Sequence, residues 1–251
     1  MKQSPKQESS KKIVIIGESP LVEEYAELCA ARGFAVAAQW NTSPAGKTLP
    51  ASGKRSGAVS PQTIIGIELT DTDREKKRAN LEKLDRALRA SKLILSSSIT
   101  ITITEQTAWL RHPERLVGIC ALPMVRSQRL VELAASPSTE RSHLSAAQDF
   151  FIQLGKQISV VQDRVGMVLP RILCMLINEA YFALQDDTAS PEDIDLAMKL
   201  GTNYPLGPIE WGEKIGMQHI HTVLQSLHDD LGEDRYRIAP LLKQIATSSV
   251  R

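Results

Sequence analysis
The first place where residue types and spacing suggest chemistry is a turn near the start of the chain. Residues 12–16 (KIVII) form a β-branched run that ends in Gly17 and leads through Glu18-Ser19-Pro20 into an amphipathic segment beginning Leu21-Val22. A strand, a tight glycine turn and a helix in that order can cradle a diphosphate on backbone N–H groups. Such a turn uses three glycines: one for the tight turn, one for close approach of phosphate to backbone, one for helix–strand packing. Gly17 supplies the first, but Ser19 stands at the second position and Val22 at the third. Ser19-Pro20 reads as a helix N-cap followed by a proline at N1, so the serine oxygen takes N–H groups that an anion would need. Glu18, Glu23 and Glu24 put carboxylates in the turn and the first helical turn, favourable to the helix dipole and repulsive to a diphosphate. At the end of the second strand, where an acid would hold ribose hydroxyls, the chain has Trp40. A turn satisfied by its own residues is the expectation.

Other reactive side chains are few. Cys120 lies among Val117, Ile119, Ala121 and Leu122, surroundings that raise a thiol pKa, so a buried and inert cysteine is expected. Glu132 reads as the partner of a nearby basic group. His219 and His221 are two apart, which on a helix points them to different faces, and no metal site is expected. His112 lies in a charged Arg-His-Pro-Glu-Arg turn and is read as solvated. Lys+Arg 30 against Asp+Glu 29 gives no basic surplus for nucleic acid or an anionic membrane. No apolar run approaches the roughly 18–20 residues of a membrane span. Residues 1–11 are polar and read as a disordered tail rather than a signal peptide. Cys29, Cys120 and Cys174, odd in number and widely spaced, suggest a reduced, cytoplasmic protein.

The elements that must position these residues follow from periodicity. Strand-type runs fall at 12–16, 34–38, 63–67, 93–96, 116–120, 129–133 and 158–162, with helical spacing at 21–32, 73–90 and 139–154. Residues 42–62 lack periodicity and read as a loop. Beyond Asp163 the pattern is helical only. Residues 167–184 are apolar almost all round, as in a helix buried between domains or subunits. Ser190-Pro191-Glu192-Asp193 is a strong helix start, which Gly201 is read as ending; Gly207-Pro208 opens a further helix closed by Gly216. Helices over 217–231 and 240–249 complete the set.

Gly166, Arg171, Asn178-Glu179-Ala180, Ala189-Ser190, Ile194-Asp195, Ala197-Met198, Gly201, Pro205, Gly207-Pro208 and Glu210 together resemble the helical dimerising domain of the short-chain L-3-hydroxyacyl-CoA dehydrogenase family. Gly155-Lys156, Leu130-Val131-Glu132, Lys77 and Leu84-Asp85 extend the resemblance towards the N-terminus. It implies an α/β, Rossmann-type parallel-sheet domain over 12–162 followed by an all-α domain over 163–251 through which the chain homodimerises. The helical hairpin that the family carries over its acyl-CoA substrate is replaced by the 42–62 loop. The family's catalytic His, oriented by a Glu, falls on Cys120, with Glu132 as the retained Glu. Its Ser falls on Ile99, or on Ser98 or Thr100 after a one-residue slip, and its Asn on Pro170. The expectation is a catalytically impaired homodimer that binds an acyl-CoA-like ligand as a scaffold or regulator, without a cofactor, NAD(H) being the one the family would use. The alternative is an active NAD-dependent oxidoreductase with a rebuilt site.

Overall fold
The computed structural model describes residues 11–41, 53–55 and 63–248. The expected tail and the 42–62 loop lie outside the described residues, apart from 11 and 53–55. Eight strands are described: β1 (Lys12–Gly17), β2 (Ala35–Trp40), β3 (Gly53–Arg55), β4 (Thr63–Leu69), β5 (Leu93–Ser97), β6 (Leu116–Ile119), β7 (Leu130–Ala134) and β8 (Gln157–Val161). They form one sheet in the order β3-β2-β1-β4-β5-β6-β7-β8, parallel except for the β6–β7 pair. Helices α1 (Leu21–Ala30), α2 (Arg74–Ala87), α3 (Ile103–Thr107) and α4 (Arg141–Gln153) accompany the sheet. The central strands β1, β4, β5 and β6 are largely apolar because helices cover both faces: α1 and α4 on one, α2 and α3 on the other. The chain reverses its direction of sheet growth between β1 and β4, where Gly17 is in register with Leu69 on one side and Trp40 on the other. In such sheets the crevice at the strand carboxyl ends beside that point is the natural ligand position.

Five further helices follow: α5 (Leu169–Gln185), α6 (Pro191–Thr202), α7 (Pro208–Ile215), α8 (Met217–Leu231) and α9 (Pro240–Ser248). Their core also takes in Ile99, Cys120, Leu122 and Ala134 from the sheet's end, which joins the helices to the α/β part. Three carboxylates, each accepting two backbone N–H bonds at a helix start, fix this arrangement. Asp163 receives Ile103 and Thr104 of α3 at 2.8 and 2.7 Å. Asp195 receives Ile209 and Glu210 of α7 at 2.8 and 3.0 Å, so close to Gly207 that a Cβ there would meet its carboxylate at 2.2 Å. The third is Glu132. Among the described residues no helix is long and apolar enough to cross a membrane.

Four readings are corrected. Part of the expected loop is β3, a three-residue strand at the sheet edge, too short to carry a pattern. Helix α3 was not anticipated, since five residues show no helical period; Thr102 and Asp163 hold its start instead. Gly201 does not end α6: the helix runs on to Thr202, and Asn203 takes the left-handed cap at φ +58°. Ser19 is not the N-cap of α1. Pro20 occupies that position, and the Ser19 hydroxyl donates to the Glu23 carboxylate at 2.8 Å.

Two buried cations tie the scaffold together. The Arg115 guanidinium, wholly buried, meets the Asp85 carboxylate at 2.7 Å and donates to the carbonyls of Asp85 and Arg89 at 2.7 and 2.6 Å. The Lys156 ammonium donates to the carbonyls of Val125 and Gln128 at 2.5 and 2.6 Å, while Glu24 accepts the N–H groups of Met124 and Val125 at 3.0 and 2.8 Å. The β6–β7 loop is thus gripped from both sides. Replacing Arg115 by Met would leave the carbonyls without their donor and Asp85 with only the Arg111 N–H. A stability loss of about 3–5 kcal/mol is expected in urea unfolding; a loss under about 1 kcal/mol would show the cluster to be incidental.

Candidate functional site
Two regions meet at the carboxyl ends of the strands: the β1–α1 turn and the residues where the helices pack on β5, β6 and β7. In the second, Cys120 and Glu132 face each other across the antiparallel pair, the Cys120 N–H donating to the Glu132 carbonyl at 3.0 Å. The Cys120 thiol is buried, and burial, with the Glu132 carboxylate adding to it, pushes its pKa well above the ordinary value. It is held as a thiol, neither a base nor a nucleophile at neutral pH. Glu132, also buried, has no basic partner among the described residues; its two oxygens accept the N–H groups of Val168 and Leu169 at 2.9 and 2.8 Å.

The start of α5 is therefore closed. Val168 and Leu169 donate to Glu132, Pro170 has no N–H, and Arg171 and Ile172 donate to the carbonyls of Gly166 and Val168 at 2.9 and 3.1 Å. No donor of the first turn remains to polarise a substrate oxygen. Ile99 is fully buried in the helical core, its carbonyl accepting the Gly166 N–H at 2.8 Å. Ser98 is buried against the Met167 sulfur at 3.5 Å, and the Thr100 hydroxyl reaches the Asp71 carbonyl at 3.4 Å. The structure thus brings Cys120, Glu132, Ile99 and Pro170 into one neighbourhood but gives them packing and capping tasks.

At the turn, Gly17 is required by packing: a Cβ there would lie 2.4 Å from the Leu69 carbonyl oxygen. Glu18 turns its carboxylate onto the end of β4, accepting from the Asp71 N–H at 3.0 Å and the Thr72 hydroxyl at 2.7 Å. Val22 is fully buried, and Trp40 packs, half-buried, on the same core. From α8, His219 places Nδ1 3.8 Å from Glu18. Burial pushes its imidazole pKa below the ordinary range, with Glu18 opposing. Of the three acids expected to crowd the turn, Glu24 is drawn away to the β6–β7 loop, leaving Glu18 and Glu23.

Several site residues were not anticipated. Glu68 and Lys77 form a buried pair at 2.6 Å, extended through Ser96 to Gln106. Asp71, two residues beyond β4, has both carboxylate oxygens buried without a hydrogen-bond partner among the described residues, as do the Ser97 and Tyr25 hydroxyls. An acid just past the carboxyl end of a central strand is the signal that would have pointed to Asp71. Buried polar atoms left unsatisfied commonly mark the place of a water or ligand.

Known proteins give this geometry its context. The family model described as 3-hydroxyacyl-CoA dehydrogenase, NAD binding domain, matches residues 53–164, and that described as its C-terminal domain matches 166–249. A 3-hydroxybutyryl-CoA dehydrogenase of Bradyrhizobium diazoefficiens is 35% identical over 176 residues, 70% of this chain and 60% of the relative. A probable 3-hydroxybutyryl-CoA dehydrogenase of Bacillus subtilis is 33% identical over 184 residues, 72% of this chain and 63% of the relative. The chain thus spans about three fifths of the length of these curated relatives. The solved (S)-3-hydroxybutyryl-CoA dehydrogenase of Ralstonia eutropha superposes with a TM-score of 0.79 at 27% identity, over 96% of this chain and 95% of that one. The match to an NAD binding domain overturns the expectation of no cofactor: NAD(H) is the cofactor of this fold. The groove fits it unevenly. Gly17 and the unsatisfied polar atoms of Asp71, Ser97 and Tyr25 suit a polar guest at the strand ends, whereas Glu18 and Glu23 bring negative charge to the phosphate turn. With a Rossmann-type sheet, a helical C-terminal part and both family models matched, the chain belongs to the 3-hydroxyacyl-CoA dehydrogenase family.

Proposed function
We propose that this family member is impaired in hydroxyacyl oxidation and acts as a binding homodimer in the cytoplasm. The observation that carries the reading is the state of Glu132: both oxygens cap α5, and a buried thiol stands where an imidazole would take the hydroxyl proton. Oxidation of a 3-hydroxyacyl thioester needs that base, together with donors for the developing oxyanion. A missing base costs about 10²–10⁴-fold and a missing donor about 10²–10³-fold in rate.

Between α5, α7 and the β6–β7 loop lies a cavity of about 560 Å³ lined by Met124, Leu169, Leu173, Leu176, Trp211 and Ile215. Its apolar walls support an acyl-type ligand. Ile172 on α5 and Leu200 on α6 are 61% and 78% exposed, with Leu196 and Tyr204 near by in sequence, an apolar surface that a second copy would cover. Cys29, Cys120 and Cys174 are buried and unbridged, in keeping with a reducing compartment.

With 3-hydroxybutyryl-CoA and NAD, turnover at least about 10⁴-fold below that of a His-bearing relative is expected. Activity within about tenfold of the relative would overturn the reading. Glu132→Gln should lower stability by about 1–3 kcal/mol, because one N–H loses its acceptor, and leave any residual turnover nearly unchanged. The reverse outcome in urea unfolding and steady-state rates, full stability with lost turnover, would make Glu132 a participant in the chemistry. Sedimentation should give a dimer at micromolar concentration; a monomer would remove the assembly.

A further inference from the structure
Between the carboxyl ends of β4 and β5 and helix α8 lies a further cavity, of about 390 Å³. It shares no lining residue with the apolar cavity beside α7. Its charged lining is Asp71, Glu105, Asp229 and Asp230 against Arg74, whose guanidinium is engaged by Glu105. With that pair set aside, three aspartates remain. Helix α8 contributes Thr222, Ser226, Asp229 and Asp230 as one polar stripe, while its Val223, Leu224 and Leu227 are fully buried in the core. The hydroxyls of the lining do not offset the charge. Thr72 donates to Glu18 at 2.7 Å, Thr100 to the Asp71 carbonyl at 3.4 Å and Thr222 to the Gln218 carbonyl at 2.8 Å. Their hydrogens are spent, so a guest meets their lone pairs.

Asp71 is an independent sign of a guest. It is 6% exposed, and neither carboxylate oxygen has a hydrogen-bond partner among the described residues. Such a group is costly unless something supplies a donor. The Ser97 hydroxyl beside it falls short of a well-formed hydrogen bond. The ammonium that acts on it, that of Lys77, is held by Glu68 at 2.6 Å and the Thr70 carbonyl at 2.8 Å. Burial foremost, with Glu18 and Glu68 adding to it and Lys77 opposing, pushes Asp71 up to about 7. Asp229 and Asp230 are exposed instead. Among the described residues no three acidic, histidine or cysteine side chains are grouped closely enough to hold a metal ion. The negative charge is strung from a buried end to an open one.

We propose that this cavity binds a small aliphatic diamine or polyamine, with one ammonium on the Asp71 carboxylate and another at Asp229 and Asp230. An ammonium brings three donors and no acceptor, which answers a lining of carboxylates and spent hydroxyls. The methylene chain between the charges meets Ile101 and Val165, the apolar members of the lining. The inference goes beyond the binding of an acyl-type ligand and does not rest on it.

The test is calorimetric titration of the whole protein with putrescine at low ionic strength, with butylamine and magnesium chloride in parallel. Putrescine should bind at a single site with Kd below about 1 mM, and butylamine about tenfold more weakly. Asp71→Asn should weaken putrescine at least about tenfold, because a buried charge pair loses one partner. Asp230→Asn, at the open end, should cost about threefold, less as salt is added. No saturable binding of putrescine, full affinity in Asp71→Asn, equal affinity for butylamine, or displacement by equimolar magnesium would each overturn the proposal. The butylamine and Asp230→Asn arms stand even if Asp71→Asn fails to fold. Hydroxyacyl turnover bears on none of these arms, so the two readings fail separately.

Discussion

The carboxylate of Glu132 under the first turn of α5 is the contact on which the relation between sheet and helices turns. It joins the middle of β7 to the helix that organises the C-terminal part, through two short charge-assisted bonds in a dry environment. Asp163 and Asp195 repeat the device at α3 and α7. A helix start that is capped this way has little left to offer a substrate. Glu132 is part of the architecture, and so are the residues around it: Ile99 and Cys120 belong to the helical core.

The electrostatics of the groove show a similar displacement. The family's fold brings a cofactor with two phosphates to the point where β1 and β4 diverge, yet the turn there holds Glu18 and is backed by Asp71. Glu24, a third acid in the same helix start, is directed elsewhere, its carboxylate held by two amides of the β6–β7 loop. Position along the sequence thus says less about a charge than the group it is bound to.

The helical half was the more legible. Ser190 caps α6 by accepting the Asp193 N–H, Pro208 opens α7 and Gly216 closes it, each as its residue type dictates. Local chemistry decides such ends, so it can be read locally. Elements fixed by distant partners were harder: β3 exists by pairing with β2, and α3 through Asp163, sixty positions away from Ile103. The candidate site divides the same way. Cys120, Ile99, Pro170 and Glu132 were named through the resemblance to the family, but the capping role of Glu132 depends on a helix that begins thirty-seven residues later. Asp71 follows the end of β4 by two residues, but its burial depends on partners distant in sequence, the Glu18 carboxylate on its N–H among them. Missing glycines at one turn do not mean a missing cofactor, because residues 53–164 match an NAD-binding model.

The double grip on the β6–β7 loop has a consequence for how a guest enters the apolar cavity. With Glu24 on its amides and Lys156 on its carbonyls, that wall has little freedom to yield. Met124 therefore presents a fixed rim, and any widening must come from the opposite side, where Tyr204, Pro205 and Leu206 border the opening. The width of the cavity is thus set on one side by the held β6–β7 loop and on the other by the stretch between α6 and α7.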